Sequence, residues 1–227
     1  MPFYPFDWTF VLLLPGLILG LYAQHRVKST FTKFSKVRAS AGVTGGDVAA
    51  MLLRQNQLGG VKVAPVRGTL SDHYDPRGKV VGLSEGVFDG RSVAALGIAA
   101  HEVGHAVQHG TGYGALALRD KLVPAANLGS NMLFPLIIGG LIFQMRPLID
   151  IGIVLFAFAV LFQLVTLPVE FDASRRAKEM LRSSGVLSEA EAKPAAAVLN
   201  AAALTYVAAA TVAVLTLIRL LLLRGRD

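Results

Sequence analysis

The sequence contains no cysteine. Disulfide scaffolds, thiol nucleophiles and cysteine-ligated zinc or iron–sulfur sites are therefore excluded. Any metal has to be held by His, Asp or Glu, and the 227 residues include only five His. Charge is scarce as well. Charged residues make up 16% of the chain, against about 25% in an ordinary soluble domain. Hydrophobic residues make up 53%, too much apolar surface for a disordered chain. Neither a purely soluble nor a disordered protein fits this composition.

The apolar residues are gathered in four runs free of charged side chains: Trp8 to Gln24, Leu122 to Met145, Ile151 to Val169 and Pro194 to Ile218. A bilayer-spanning helix needs about 20 such residues, with a range of about 17–25. The runs therefore predict four transmembrane helices, the first at the short end. No Lys or Arg precedes the first run, and a basic cluster (Arg26, Lys28, Lys33, Lys36, Arg38) follows it. That order predicts a retained anchor rather than a secretory signal.

The net charge of +7 does not point to nucleic acid, because the basic residues track the apolar runs and form no compact aromatic-laced patch. Residues 25–121 hold 13 Lys and Arg, residues 170–193 hold five, and the connection between the second and third runs holds only Arg146. Basic loops stay inside. The expected layout is transmembrane helix 1 at 1–24, a cytoplasmic catalytic region at 25–121, helices 2 and 3 at 122–169, a cytoplasmic segment at 170–193, and helix 4 with the tail at 194–227. The tail residues Arg224 and Arg226 count against this orientation and are outnumbered. The chain is expected to be a mainly α, multi-pass protein of the cell membrane, carrying a small cytoplasmic α+β region of zincin type.

Within the first loop, Val27, Phe31 and Phe34 among basic residues predict an amphipathic helix along the membrane surface. Thr44-Gly-Gly-Asp47 has the form of a helix start. Val61 to Val66 and Lys79 to Leu83 read as two strands of a small hairpin, with Asp75-Pro-Arg-Gly78 as turn signal. Asp89 or Ser92 caps the next helix, which runs to about Gln108.

That helix carries His101-Glu-Val-Gly-His105. His residues at i and i+4 project from one helical face, so two imidazoles can share one metal, with Glu102 beside it as general base. The bland alternative is a pair of surface histidines. His109 continues the ladder a turn further on and is assigned a structural role. Catalytic zinc needs a third protein ligand. Glu170, at the end of the third run, is the best candidate, because an even number of crossings returns it to the same side as His105. Asp172 is its rival. Two residues apart on a helix, their side chains diverge by about 200°, so both do not bind one ion.

The stretches LSDHYDPRGKVVGLSEGVF, AAHEVGHAVQH and LPVEFDASRRA together resemble the YugP-like bacterial membrane zinc metallopeptidases, over nearly the whole chain. They are more distantly similar to the HtpX-like and CAAX-prenyl proteases. The resemblance implies one Zn2+ per chain, His101, His105 and Glu170 as ligands, and Glu102 as general base. Phe171 and Ala173 match the Glu-aromatic-x-Ala-Asp pattern of the distant relatives. Ser174 stands where they have Asp, so Asp172 or Ser174 takes the supporting role.

The expected activity is hydrolysis of peptide bonds in a protein or peptide, with membrane proteins as one substrate class. An intramembrane site-2-type protease and a non-enzymatic membrane scaffold are the competing readings. The former is disfavoured because the only Asp-Gly precedes the motif. Two finer expectations concern substrate. The strand formed by Lys79, Val80, Val81, Gly82 and Leu83 is predicted to offer a free edge to the peptide main chain. His73, slightly ahead of Tyr74, is predicted to donate to the developing oxyanion, with Arg175 and Arg176 as reserves.

Overall fold

A computed structural model describes residues 8–225. The seven N-terminal residues of the charge count and the Arg226 of the tail lie outside them. The elements are a 3-10 turn (Trp8–Leu13), α1 (Leu14–Phe34), α2 (Gly45–Gln55), β1 (Lys62–Val66), β2 (His73–Asp75), β3 (Val80–Ser84), α3 (Glu85–Phe88), α4 (Val93–Gly110), α5 (Gly114–Ile142), α6 (Arg146–Ser183) and α7 (Glu189–Arg224). The protein is mainly helical. Among the described residues, four helical segments are long and apolar enough to cross a membrane: Trp8–Phe34, Gly114–Ile142, Arg146–Ser183 and Glu189–Arg224. Three of them contain a whole charge-free run, and Gly114–Ile142 contains the second run as far as Ile142. Residues 25–34, read as an amphipathic helix running off the first span, continue the helix of the first run without a break.

The chain divides into two compact units. One comprises residues 8–22, 115–168 and 205–225. Its helices leave most of their apolar side chains uncovered by protein, with Phe134 at 71% and Ile18 at 65% exposure, as lipid-facing helices do. The α5 and first-half α6 backbones meet at Gly129, where a Cβ would lie 2.0 Å from the Leu155 carbonyl oxygen. Arg219, which interrupts the apolar end of α7, places its guanidinium over the Phe10 ring and its Nε 3.1 Å from the Thr9 hydroxyl. Arg224 is paired with Asp150.

The other unit comprises residues 23–114 and 169–204. Its core is built around α4, whose Val93, Leu96, Ala99, Ala100 and Val103 are fully buried. These pack with Leu52 and Leu53 of α2, Val81 and Leu83 of β3, Ala177 and Leu181 of α6, and Leu199 of α7. Each large side chain buried there contributes roughly 1.5–3 kcal/mol. Thr44 closes the expected capping box with Asp47. The helix starts at Gly45, directly after that cap. Of the two candidate caps of α4, Ser92 is the one used, its hydroxyl accepting from the Ala95 N–H at 3.2 Å.

The sheet departs from the sequence reading. It has three strands in the order β1-β3-β2. β1 runs parallel to β3, with Val63 opposite Val81, so the two predicted strands are not a hairpin. The hairpin is β2–β3, antiparallel, with Tyr74 opposite Val81. Asp75 shapes its turn by accepting from the Arg77 N–H at 2.9 Å. β2 is three residues long, too short to show alternation in the sequence. Its presence corrects the free-edge expectation for Lys79, Val80, Val81, Gly82 and Leu83. β3 is the central strand, paired on both sides, and Val81 and Leu83 are completely buried. No substrate main chain can add to it.

Candidate metal centre

α4 and α6 meet backbone to backbone. A Cβ on Gly104 would lie 2.7 Å from the Ala173 carbonyl oxygen, so only glycine permits this approach. One turn on along α4, Gln108 reaches Val169, one turn back along α6. Three residues before Gly104, His101 meets Ser174. The crossing is therefore antiparallel here, and it sets Glu170 opposite both motif histidines.

Glu170 Oε2 lies 3.3 Å from His101 Nε2 and 3.6 Å from His105 Nε2. The two imidazoles stand edge to face, with centroids 4.8 Å apart. One ligand atom from each of the three residues can be chosen so that all lie within 4.8 Å of one another. Tetrahedral coordination with bonds of about 2.0–2.2 Å sets neighbouring donors about 3.3–3.6 Å apart. Both Glu170–histidine separations fall in that range, and a donor set of two imidazole nitrogens and a carboxylate oxygen suits zinc. Glu170 itself is 3% exposed, a carboxylate withdrawn from water among nitrogen donors.

Glu102 is buried on the same helix. Burial pushes its carboxyl above the ordinary range; His101 and His105 oppose that shift, while Glu170 and Asp72 add to it. For His105, burial works against the charged ring, but Glu170, Glu102 and Gln108 outweigh it and the pKa is raised.

The remaining candidates separate clearly. Asp172 is not in the cluster. It accepts from Gln108 Nε2 at 3.0 Å and from Arg176 Nε at 2.6 Å, and is paired with Arg175. Arg175 also binds Glu179 at 2.7 Å, and Arg176 lies over the Tyr113 ring. Both arginines are thus engaged by acidic or aromatic side chains. Ser174 Oγ sits 3.2 Å from His101 Nδ1. His73 is exposed, with Nδ1 2.9 Å from the Ser71 carbonyl. The Tyr74 hydroxyl is 3.1 Å from Nδ1 of His109, tying β2 to the last turn of α4. Burial, then Asp75, raises the Tyr74 pKa.

Two residues escaped the sequence reading. Gln108, fully buried, places Oε1 3.0 Å from His105 Nδ1. Its spacing of three from His105 was the available signal, masked because glutamine ordinarily faces solvent. Asp72 accepts from the Ser84 N–H at 2.8 Å and from the Ser84 hydroxyl, stitching the loop before β2 to the end of β3.

Four bilayer-length helices, together with a His–His–Glu donor set assembled from a His-Glu-x-x-His helix and a later helix, define a membrane protein with a zinc-type site. The chain belongs to the family described as "Putative neutral zinc metallopeptidase", whose sequence profile matches residues 9–225. It is 51% identical over 218 residues to the "Putative membrane protease YugP" of Bacillus subtilis (strain 168), covering 95% of this chain and 97% of that protein. No solved structure matches.

Proposed function

We propose that the protein is a membrane-bound zinc endopeptidase acting on protein or peptide substrates, membrane proteins among them, at the cytoplasmic face of the cell membrane. The observation that carries this reading is the convergence of His101, His105 and Glu170, with Glu102 buried beside them on the motif helix. One zinc ion bound there supplies Lewis acidity, polarising a carbonyl and acidifying water. Glu102 takes a proton from the attacking water and passes it to the leaving amine nitrogen. A carboxylate raised by burial is a stronger base for that first transfer. Tyr74 is the preferred second donor to the oxyanion, because its hydroxyl reaches the motif helix whereas His73 remains with Ser71.

The site-2-type alternative places the motif inside a span, but α4 is not among the four helices long and apolar enough to cross. Metal analysis and peptide cleavage with wild type and Glu102→Gln test the proposal. Zinc is expected in both and cleavage only in wild type. Metal-free, inactive protein in both cases would favour the scaffold reading.

A further inference from the structure

Gln108 is a buried polar group whose hydrogen bonds admit a single arrangement. Its side chain has no solvent exposure and three polar neighbours. Two can only accept: the Val169 carbonyl oxygen at 2.8 Å and Asp172 Oδ2 at 3.0 Å. An amide NH2 has two donors, and these two acceptors use both. The amide oxygen must then face the third neighbour, Nδ1 of His105, at 3.0 Å. A carbonyl oxygen cannot donate, so His105 Nδ1 must carry hydrogen. In the neutral ring that leaves Nε2 as a lone pair, on the side where Glu170 lies.

The amide is held in turn. Asp172 is anchored by Arg176 at 2.6 Å and by Arg175, so it cannot rotate away without breaking two ion pairs. The Val169 carbonyl is on the helix that supplies Glu170. By contrast, the hydroxyl of Ser174 beside His101 Nδ1 can donate or accept, and so imposes no tautomer.

From this geometry we infer that Gln108 is the positioning residue of the site: it locks His105 as the Nδ1–H tautomer, presents Nε2 for ligation, and couples the second histidine of α4 to the Asp172–Arg175–Arg176 cluster of α6. The inference rests on the metal-centre reading for its purpose but not for its structural content. Partners that orient a ligating histidine are typically worth 10–100-fold in metal affinity.

The test uses the full chain in detergent, labelled with 15N-histidine. In metal-free wild type, under alkaline conditions where the ring is neutral, the two-bond nitrogen correlations of His105 should show Nδ1 protonated and Nε2 bare. A predominantly Nε2–H tautomer overturns the inference without any variant. Gln108→Leu removes all three hydrogen bonds at similar volume. It should let His105 exchange between tautomers while His101 is unchanged, and should weaken Zn2+ binding 10–100-fold in chelator competition. A His105 signal still fixed as Nδ1–H, or affinity within threefold of wild type, overturns it. Should Gln108→Leu not fold, the wild-type tautomer decides alone. If wild type shows the fixed tautomer but binds no Zn2+, the metal-centre reading fails and the Gln108–His105 lock stands.

Discussion

At the residue scale, the choice between Glu170 and Asp172 shows how a carboxylate acquires its role. Both sit in the same short stretch of α6. Glu170 faces two imidazole nitrogens and is shut away from water, whereas Asp172 meets two guanidinium groups and an amide. A carboxylate already neutralised by two arginines is a poor ligand for a cation. Glu170→Ala is therefore expected to lose most of the bound zinc. Asp172→Ala should retain ion binding with reduced affinity, as measured by chelator competition. Loss of metal from Asp172→Ala alone would reverse the assignment. Tyr74→Phe probes the oxyanion donor. Removing one such donor typically costs about 10²-fold or more in turnover, so that drop is expected with zinc content intact. Near-normal turnover would point away from β2.

At the scale of elements, the contact between α4 and α6 is what assembles the donors. Three features make it: a glycine where the backbones touch, alanine opposite, and small or polar side chains a turn away on each helix. Gly104→Ala would put a methyl 2.7 Å from a carbonyl oxygen and 3.2 Å from the Ala173 Cα. Backbone cannot yield as a side-chain tip does, so the helices must separate. Overpacking of this kind costs about 1–3 kcal/mol, and the donor spacing should widen with it. Thermal unfolding and zinc affinity should both fall. A variant with wild-type melting and affinity would mean that the crossing tolerates more slack than its distances indicate. The sheet teaches a complementary lesson. Two strands were legible from β-branched residues, but the parallel pairing was not, because a three-residue strand carries no period of its own. Pairing by β2 turned a supposed edge into the centre of the sheet.

At the scale of the whole molecule, orientation is the remaining property to test, and the absence of cysteine makes the measurement clean. With 13 Lys and Arg in residues 25–121, a cysteine introduced at Ala41 is expected to react with an impermeant maleimide only after lysis. One at Gln144, between the second and third spans, should react on intact cells. The opposite pattern would place the site outside. The four spans, the motif helix with its cap narrowed to Asp89 or Ser92, and the capping box at Thr44 were all readable in one dimension. Each rests on composition, periodicity or a spacing of three or four residues, which are local properties of the chain. His101, Glu102 and His105 were legible for the same reason. The partners of those residues were not. Counting crossings put Glu170 and Asp172 alike on the side of His105, Glu170 was preferred for its place at the boundary of the third run and for the family pattern, and Gln108 looked like a surface side chain. The strand order depended on pairings between residues distant in sequence. Such features are decided where a glycine lets two helices meet, because only that packing removes water from a carboxylate and an amide and leaves each a single set of partners.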